Sequence, residues 1–164
     1  HYIQVMADKT GSLISASARL GILLSGAPRE FMEPMRIYGE KVGVAFQLID
    51  DVIDISEAGP SGKTPGTDLR AGVPTLPVLL LRKAAAEGDV EAVSLLALID
   101  GGLNDDARLQ EALVRLRGHA VANLAYLEAK RWADEAVEAI AELPDGSVKN
   151  ALEQFAQAVV DRTN

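Results

Sequence analysis

The sequence predicts an all-α protein, a bundle of packed helices, and three observations predict it. Alanine and leucine dominate while aromatic residues make up only 4%, and strands enrich aromatic and β-branched residues where helices favour Ala and Leu. Apolar residues recur at helical spacing through several long segments. Clusters of Gly and Pro cut those segments where helices stop, and no stretch shows the sustained alternation of a half-buried strand.

Residues 2–24 read as the first helix, with Val5, Met6, Leu13, Ile14, Ser17, Leu20 and Leu24 at helical spacing. Gly11, Ser12, Ser15, Ala16 and Ala18 make it thin, so a neighbour can approach closely, and Gly26-Ala27-Pro28 ends it. The spacing predicts a second helix over 29–55, with Val42, Ala45, Phe46, Ile49, Val52 and Ile53 in a wide apolar stripe. Residues 56–74 hold four glycines and three prolines and no hydrophobic period. They read as a loop beyond the usual limit of about 12–15 residues, the length at which loops serve as lids. Thr75-Leu76-Pro77 then reads as an N-cap with proline in the first turn, opening a helix that Gly88 closes after Glu87. Asp89 caps a helix to Ile99, and 104–106 cap one to Arg117. A long helix to Leu143 follows, with Ala120, Leu124, Leu127, Trp132, Ala136 and Ile140 as core candidates. After Pro144-Asp145-Gly146, Ser147 caps a last helix carrying Ala151, Leu152, Phe155, Ala158 and Val159.

A chain of 164 residues with 48% hydrophobic content has the apolar mass for one compact domain. No run is apolar enough to span a bilayer, and no signal-peptide pattern is present. With 24 acidic against 16 basic residues the net charge is −8, which repels nucleic acid, so a polyanionic ligand needs local cations or a metal. The absence of cysteine excludes disulfides and thiolate metal sites, and a cytoplasmic setting is expected. His1-Tyr2-Ile3-Gln4-Val5-Met6 enters an apolar periodic segment at once, so the chain reads as part of a longer polypeptide.

The segment that carries chemistry is Phe46-Gln47-Leu48-Ile49-Asp50-Asp51-Val52-Ile53-Asp54. On a helix Asp50 and Asp54 stack on one face, Asp51 lies beside them, and Gln47 sits one turn earlier. Three clustered carboxylates repel one another and are costly to desolvate, and a hard cation relieves both problems. Mg²⁺ prefers oxygen ligands and typically joins one or two carboxylates to a substrate phosphate. Lys9-Thr10 pairs a cation with a hydroxyl, which suits a phosphate oxygen. Gly62-Lys63-Thr64-Pro65-Gly66-Thr67-Asp68-Leu69 supplies a second cation among glycines that let backbone approach a ligand.

Taken together, Lys9-Thr10, the Phe46–Asp54 segment and the run from Gly62 through Gly66-Thr67-Asp68-Leu69 to Gly72 and Thr75-Leu76-Pro77 closely resemble the trans-isoprenyl diphosphate synthases. Tyr126, Ala133, Ala136, Leu143-Pro144 and Ala151-Leu152 are similar to that family's closing helices. The resemblance covers the whole chain and implies the carboxyl-terminal part, residues 1–164, of a single isoprenoid synthase bundle. It implies that Asp50, with Asp51 and Asp54, holds Mg²⁺ against an allylic diphosphate. Lys9 and Lys63 pair with the diphosphate, Thr10 and Gln47 hydrogen-bond near it, and Asp68 supports the metal site. The implied reaction is head-to-tail condensation of the allylic diphosphate with isopentenyl diphosphate by a homodimer. The family's first aspartate-rich motif and its isopentenyl-binding basic residues have no match in this sequence, so the chain alone is expected to be inactive. Val73 also departs from the lysine that many members carry there. A non-catalytic diphosphate-binding paralogue of the same fold and a structural helical interaction module are the other readings of these residues.

Overall fold

The computed structural model describes residues 1–57 and 64–163, and among them every regular element is helical. They divide into two compact units, one of residues 1–49 and 128–162, the other of residues 50–127.

In the first unit, α1 (Tyr2–Met6) passes through a π turn (Ala7–Gly11) into α2 (Ser12–Ser25), which ends at Gly26 with a left-handed φ of 73°. A 3₁₀ turn (Arg29–Phe31) leads into α3 (Met32–Ile55), whose last residues belong to the second unit. The later part of α8 (Ala120–Ala139), α9 (Ser147–Val160) and the first two residues of a closing 3₁₀ turn (Asp161–Thr163) complete the unit.

Small residues decide which face of α2 is buried. A Cβ at Gly43 would lie 2.6 Å from the Cα of Gly11, and one at Gly39 would lie 2.6 Å from the Cα of Ser15. The two helices therefore meet backbone to backbone, antiparallel, on rows of small residues one turn apart. Gly11 and Ser15 are buried there, whereas Leu13 is 68% exposed and Leu24 85%, with Leu20 also exposed. The expected apolar stripe of residues 2–24 is thus corrected. The face that enters the interior is the thin one, because only small side chains permit so close an approach.

α8 buries a ridge of alanines, Ala125, Ala129, Ala133 and Ala136, while Leu124 and Leu127, expected in the core, are exposed, as is Phe155 on α9. Helix α8 also stops at Ala139, short of Leu143, because Ile140, Ala141 and Leu143 turn to carbonyls three residues back. Buried Tyr38 ties α3 to α9 by donating its hydroxyl to the Leu152 carbonyl at 2.7 Å. Its burial pushes the phenol up to about 12. Lys41 pairs with Glu135 and stands 4.9 Å from the centre of the Trp132 ring.

The second unit comprises the end of α3, a short α4 (Thr67–Arg70), α5 (Leu76–Ala86), α6 (Val90–Asp100), α7 (Asp106–Gly118) and the start of α8. Ile55, Leu69, Val78, Leu81, Leu95, Leu113 and Leu116 form its core. Asp89 caps α6 by accepting from the Ala92 N–H, and Asp105 caps α7 by accepting from the Ala107 N–H, as expected. Ser147, by contrast, is the first residue of α9, behind Gly146. Extended His119 separates α7 from α8, and its Nδ1 accepts the Val121 N–H at 3.3 Å. Among the described residues no helix is long and apolar enough to cross a membrane.

Two predictions follow from the packing of the first unit. In the intact protein Gly43→Ala should destabilise by about 1–3 kcal/mol, because the new methyl meets backbone that has no rotamer to yield. Gly21→Ala on α2, with nothing within 4 Å, should leave stability equal or raise it by up to about 1 kcal/mol. Denaturant unfolding of the pair checks this, and equal effects would refute the close approach. A phenol that ionises at about 10 when unfolded and about 12 when folded favours folding below pH 10, and that stability is lost as pH rises toward 12. The stability advantage of the parent over Tyr38→Phe should therefore shrink across that window.

Candidate functional site

The last turns of α3 set an acidic sector among buried apolar residues. Leu48, Ile49, Val52 and Ile55 are buried, while Gln47, Asp50 and Asp51 are half-buried. Asp54 is 6% exposed. Burial pushes its carboxyl above the usual carboxylate range; the backbone N–H groups of Asp68 and Leu69 counter that shift, and the nearby Asp68 charge adds to it.

Two of the three aspartates accept backbone amides of the chain that follows α3. Asp54 accepts from the Asp68 N–H at 3.2 Å through one oxygen and from the Leu69 N–H at 3.3 Å through the other. Its carbonyl accepts the Gly66 N–H at 2.6 Å. Asp51 Oδ2 accepts the Leu76 N–H at 2.7 Å, at the start of α5. Among the described residues no three His, Cys, Asp or Glu side chains stand ready to hold a metal.

The same bonds correct the reading of residues 56–74 as a loop without structure. Within it, residues 64–74 fold against Asp54. Gly66 takes a φ of 77°, and a Cβ there would lie 2.9 Å from the Leu109 side chain, so the turn requires glycine. Thr67–Arg70 forms one helical turn, and Leu69 is buried in the core of the second unit. A single apolar residue among glycines and prolines has no period, which is why the sequence pattern misses it. Asp68 is half-buried, and its carbonyl accepts the Val73 N–H at 3.0 Å. Val73 is exposed, and Gly72 before it has a φ of 71°. Lys63 lies outside the described residues.

Lys9 and Thr10 occupy the π turn, Lys9 exposed and Thr10 half-buried. A π turn widens the helix by one residue per turn and often marks a functional position. The Gly11–Gly43 contact fixes this turn against α3, where a Cβ on Gly43 would also lie 3.1 Å from the Thr10 carbonyl carbon. Gln47 follows Gly43 by one turn on the same face of α3. In the first unit, then, Lys9, Thr10 and Gln47 are brought to one stretch of the α2–α3 contact.

One residue near this stretch escaped the sequence reading. The Arg162 guanidinium lies 4.1 Å from the centre of the Phe46 ring, and it donates to the Phe46 carbonyl at 3.4 Å. A lone basic residue in a terminal turn carries no motif, so only the fold pairs it with Phe46.

The family model for polyprenyl synthetase matches residues 1–116. The chain is 43% identical to a nonaprenyl diphosphate synthase of Mycobacterium tuberculosis over 98% of its own length and 48% of that enzyme's. It is 33% identical to an octaprenyl diphosphate synthase of Haemophilus influenzae, over 99% of the chain and 49% of the enzyme. In structure it superposes on a geranylgeranyl pyrophosphate synthase of Corynebacterium glutamicum, solved with calcium and isoprenyl diphosphate, with a TM-score of 0.87 and 36% identity. That match covers all of this chain and 50% of the other. The chain spans about half the length of the curated relatives it matches. With its helical architecture, its Asp50-Asp51 and Asp54 turn and these matches, the chain belongs to the polyprenyl synthetase family.

Proposed function

We propose that the protein containing this chain is a prenyltransferase that condenses an allylic diphosphate with isopentenyl diphosphate, head to tail, with Mg²⁺ as its cation. The observation that carries the reading is the acidic sector of α3, a half-exposed Asp50 among the buried apolar residues Leu48, Ile49, Val52 and Ile55. A carboxylate in that setting suits a hard divalent cation, and the site holds only oxygen donors, which fits Mg²⁺. Bound there, Mg²⁺ would neutralise the charge that develops on a departing diphosphate.

The roles of the chain's residues follow from their chemistry. Asp50, with Asp51 and Asp54, holds the cation. Lys9, exposed at the π turn, pairs with diphosphate oxygens, and the Thr10 hydroxyl and the Gln47 amide donate hydrogen bonds near it. Lys63 supplies a second cation to the same group, and Asp68 supports the cation site. The allylic C–O bond breaks with its electron pair going to the diphosphate, and the isopentenyl double bond attacks the allyl cation. A proton then leaves to the released diphosphate, which restores an allylic product. An apolar surrounding suits the cation, because water would quench it. The exposed Leu13, Leu20 and Leu24 give α2 an apolar outer face of the kind that a homodimer or the remainder of a longer chain would cover. A cytoplasmic setting accords with the absence of cysteine.

In the intact protein, Asp50→Ala should lower kcat by about a hundredfold or more at saturating substrate, since a lost cation ligand acts on transition-state charge. Lys9→Gln should act in the same direction, with a loss of about tenfold in kcat/KM for the allylic substrate. Steady-state kinetics with Mg²⁺ and both diphosphates is the check. A kcat for Asp50→Ala within about threefold of the parent would overturn the assignment.

A further inference from the structure

We propose that His119 is a proton-operated latch at the head of α8: its neutral imidazole caps the helix, and a second ring proton releases the helix while the ring keeps Asp89. The inference is independent of the prenyl-transfer reading, and both partners of the ring lie with it in the second unit.

His119 stands immediately before Ala120 with extended backbone, φ −81° and ψ 145°, and its carbonyl accepts the Ala122 N–H at 3.1 Å. That is the backbone of an N-cap, a post that Ser, Thr, Asp or Asn ordinarily fills with a side-chain oxygen. Here the ring takes the place of that oxygen. Its Nδ1 accepts the N–H of Val121, the second residue of the helix, at 3.3 Å. The other ring nitrogen, Nε2, stands 3.3 Å from Asp89 Oδ2. A neutral imidazole has one donor and one acceptor. With Nδ1 accepting, the proton sits on Nε2 and is donated to the Asp89 carboxylate. The side chain is only 8% exposed, so these partners satisfy the ring in place of solvent.

Asp89 serves two other helices at the same time. Its Oδ1 accepts the Ala92 N–H at 3.0 Å as the cap of α6, and its own N–H goes to the Ala84 carbonyl in the last turn of α5 at 3.0 Å. One imidazole thus joins the turn between α5 and α6 to the junction of α7 and α8. The Ala92 amide holds the Asp89 carboxyl below the usual carboxylate range, with burial opposing and His119 adding to the effect. Asp89 therefore stays an anion where histidine titrates. The other charges of the flanking turns have partners of their own. Glu87 pairs with Lys83, Glu91 of α6 and Glu111 of α7 with Arg115, and Arg117 of α7 with Glu57. Helix α8 carries no charged residue before Glu128.

A second proton can enter the ring only at Nδ1. The imidazolium then has two donors and no acceptor, so Nδ1–H faces the Val121 N–H and the cap bond is lost. The new charge also lies at the positive end of the α8 dipole, which repels it. Nε2–H still points at Asp89, now as a cation at an anion. Protonation frees the first turn of α8 and leaves the α5–α6 turn held.

Hydrogen exchange on the intact protein tests the latch. The protection factor of the Val121 amide, which excludes the intrinsic pH dependence of exchange, should fall about fivefold or more from about pH 8 to about pH 5. That of the Ala92 amide should change by less than about twofold. His119→Asn keeps a capping acceptor that takes up no proton, so its Val121 protection should be equal at both ends of the range. His119→Ala should lack that protection throughout. Nitrogen NMR of the imidazole should find Nδ1 without a proton at the alkaline end. The proposal is overturned if Nδ1 carries the proton there, or if Val121 protection in the parent is unchanged by acid. It is equally overturned if Ala92 loses protection in parallel with Val121, or if His119→Asn responds to acid as the parent does.

Discussion

The contact between α2 and α3 at backbone distance is the constraint on which the first unit turns. Gly43 faces Gly11 and Gly39 faces Ser15 with no room for a β-carbon on α3. Two helices that meet this closely cannot slide, because any step along the axis brings a side chain against backbone. The register so fixed sets the π turn with Lys9 and Thr10 beside α3. It also decides which face of α2 is left over, and Leu13, Leu20 and Leu24 are that remainder. The large apolar residues lie outside because the contact is made by small ones.

The second unit depends on a different economy, that of a buried charge. Asp54 is nearly inaccessible, and its carboxyl is pushed up by burial. A lone carboxylate in such a place is costly, and backbone amides are the means by which its desolvation is offset. Satisfying Asp54 draws Gly66, Asp68 and Leu69 onto the end of α3 and seats the Leu69 side chain in the core. The electrostatic need and the hydrophobic gain thus act on the same four residues. Asp51 does for the amino end of α5 what Asp54 does for the turn at Thr67.

Much of the helical layout was legible in the residues themselves. Apolar spacing placed α3, and Asp89 and Asp105 marked the starts of α6 and α7 because a short acidic side chain beside an orphan amide acts within a few residues. Where the partner is distant in sequence, the same rules misread. Thr75 has the look of a cap, yet the amide at the head of α5 is taken by Asp51, 25 positions away. Residues 64–74 have the composition of an open loop, yet they are bound through Asp54. Leu124, Leu127 and Phe155 have the chemistry of a core and are exposed, since α8 turns its alanine ridge inward.

The sequence by itself determined the all-α class, the helix boundaries to within a few residues, and the acidic motif with its lysine and threonine companions. Those features rest on interactions within one or two turns, which local residue order encodes directly. The tertiary structure decided which side of each helix is buried and which backbone amides Asp51 and Asp54 accept. The spacing of Asp50, Asp51 and Asp54 states only that they share a sector of α3. Whether an oxygen in that sector meets a cation or a backbone amide depends on where the chain after Asp54 returns, and that path is set by the packing of Leu69 and by amides that residue order does not place in space.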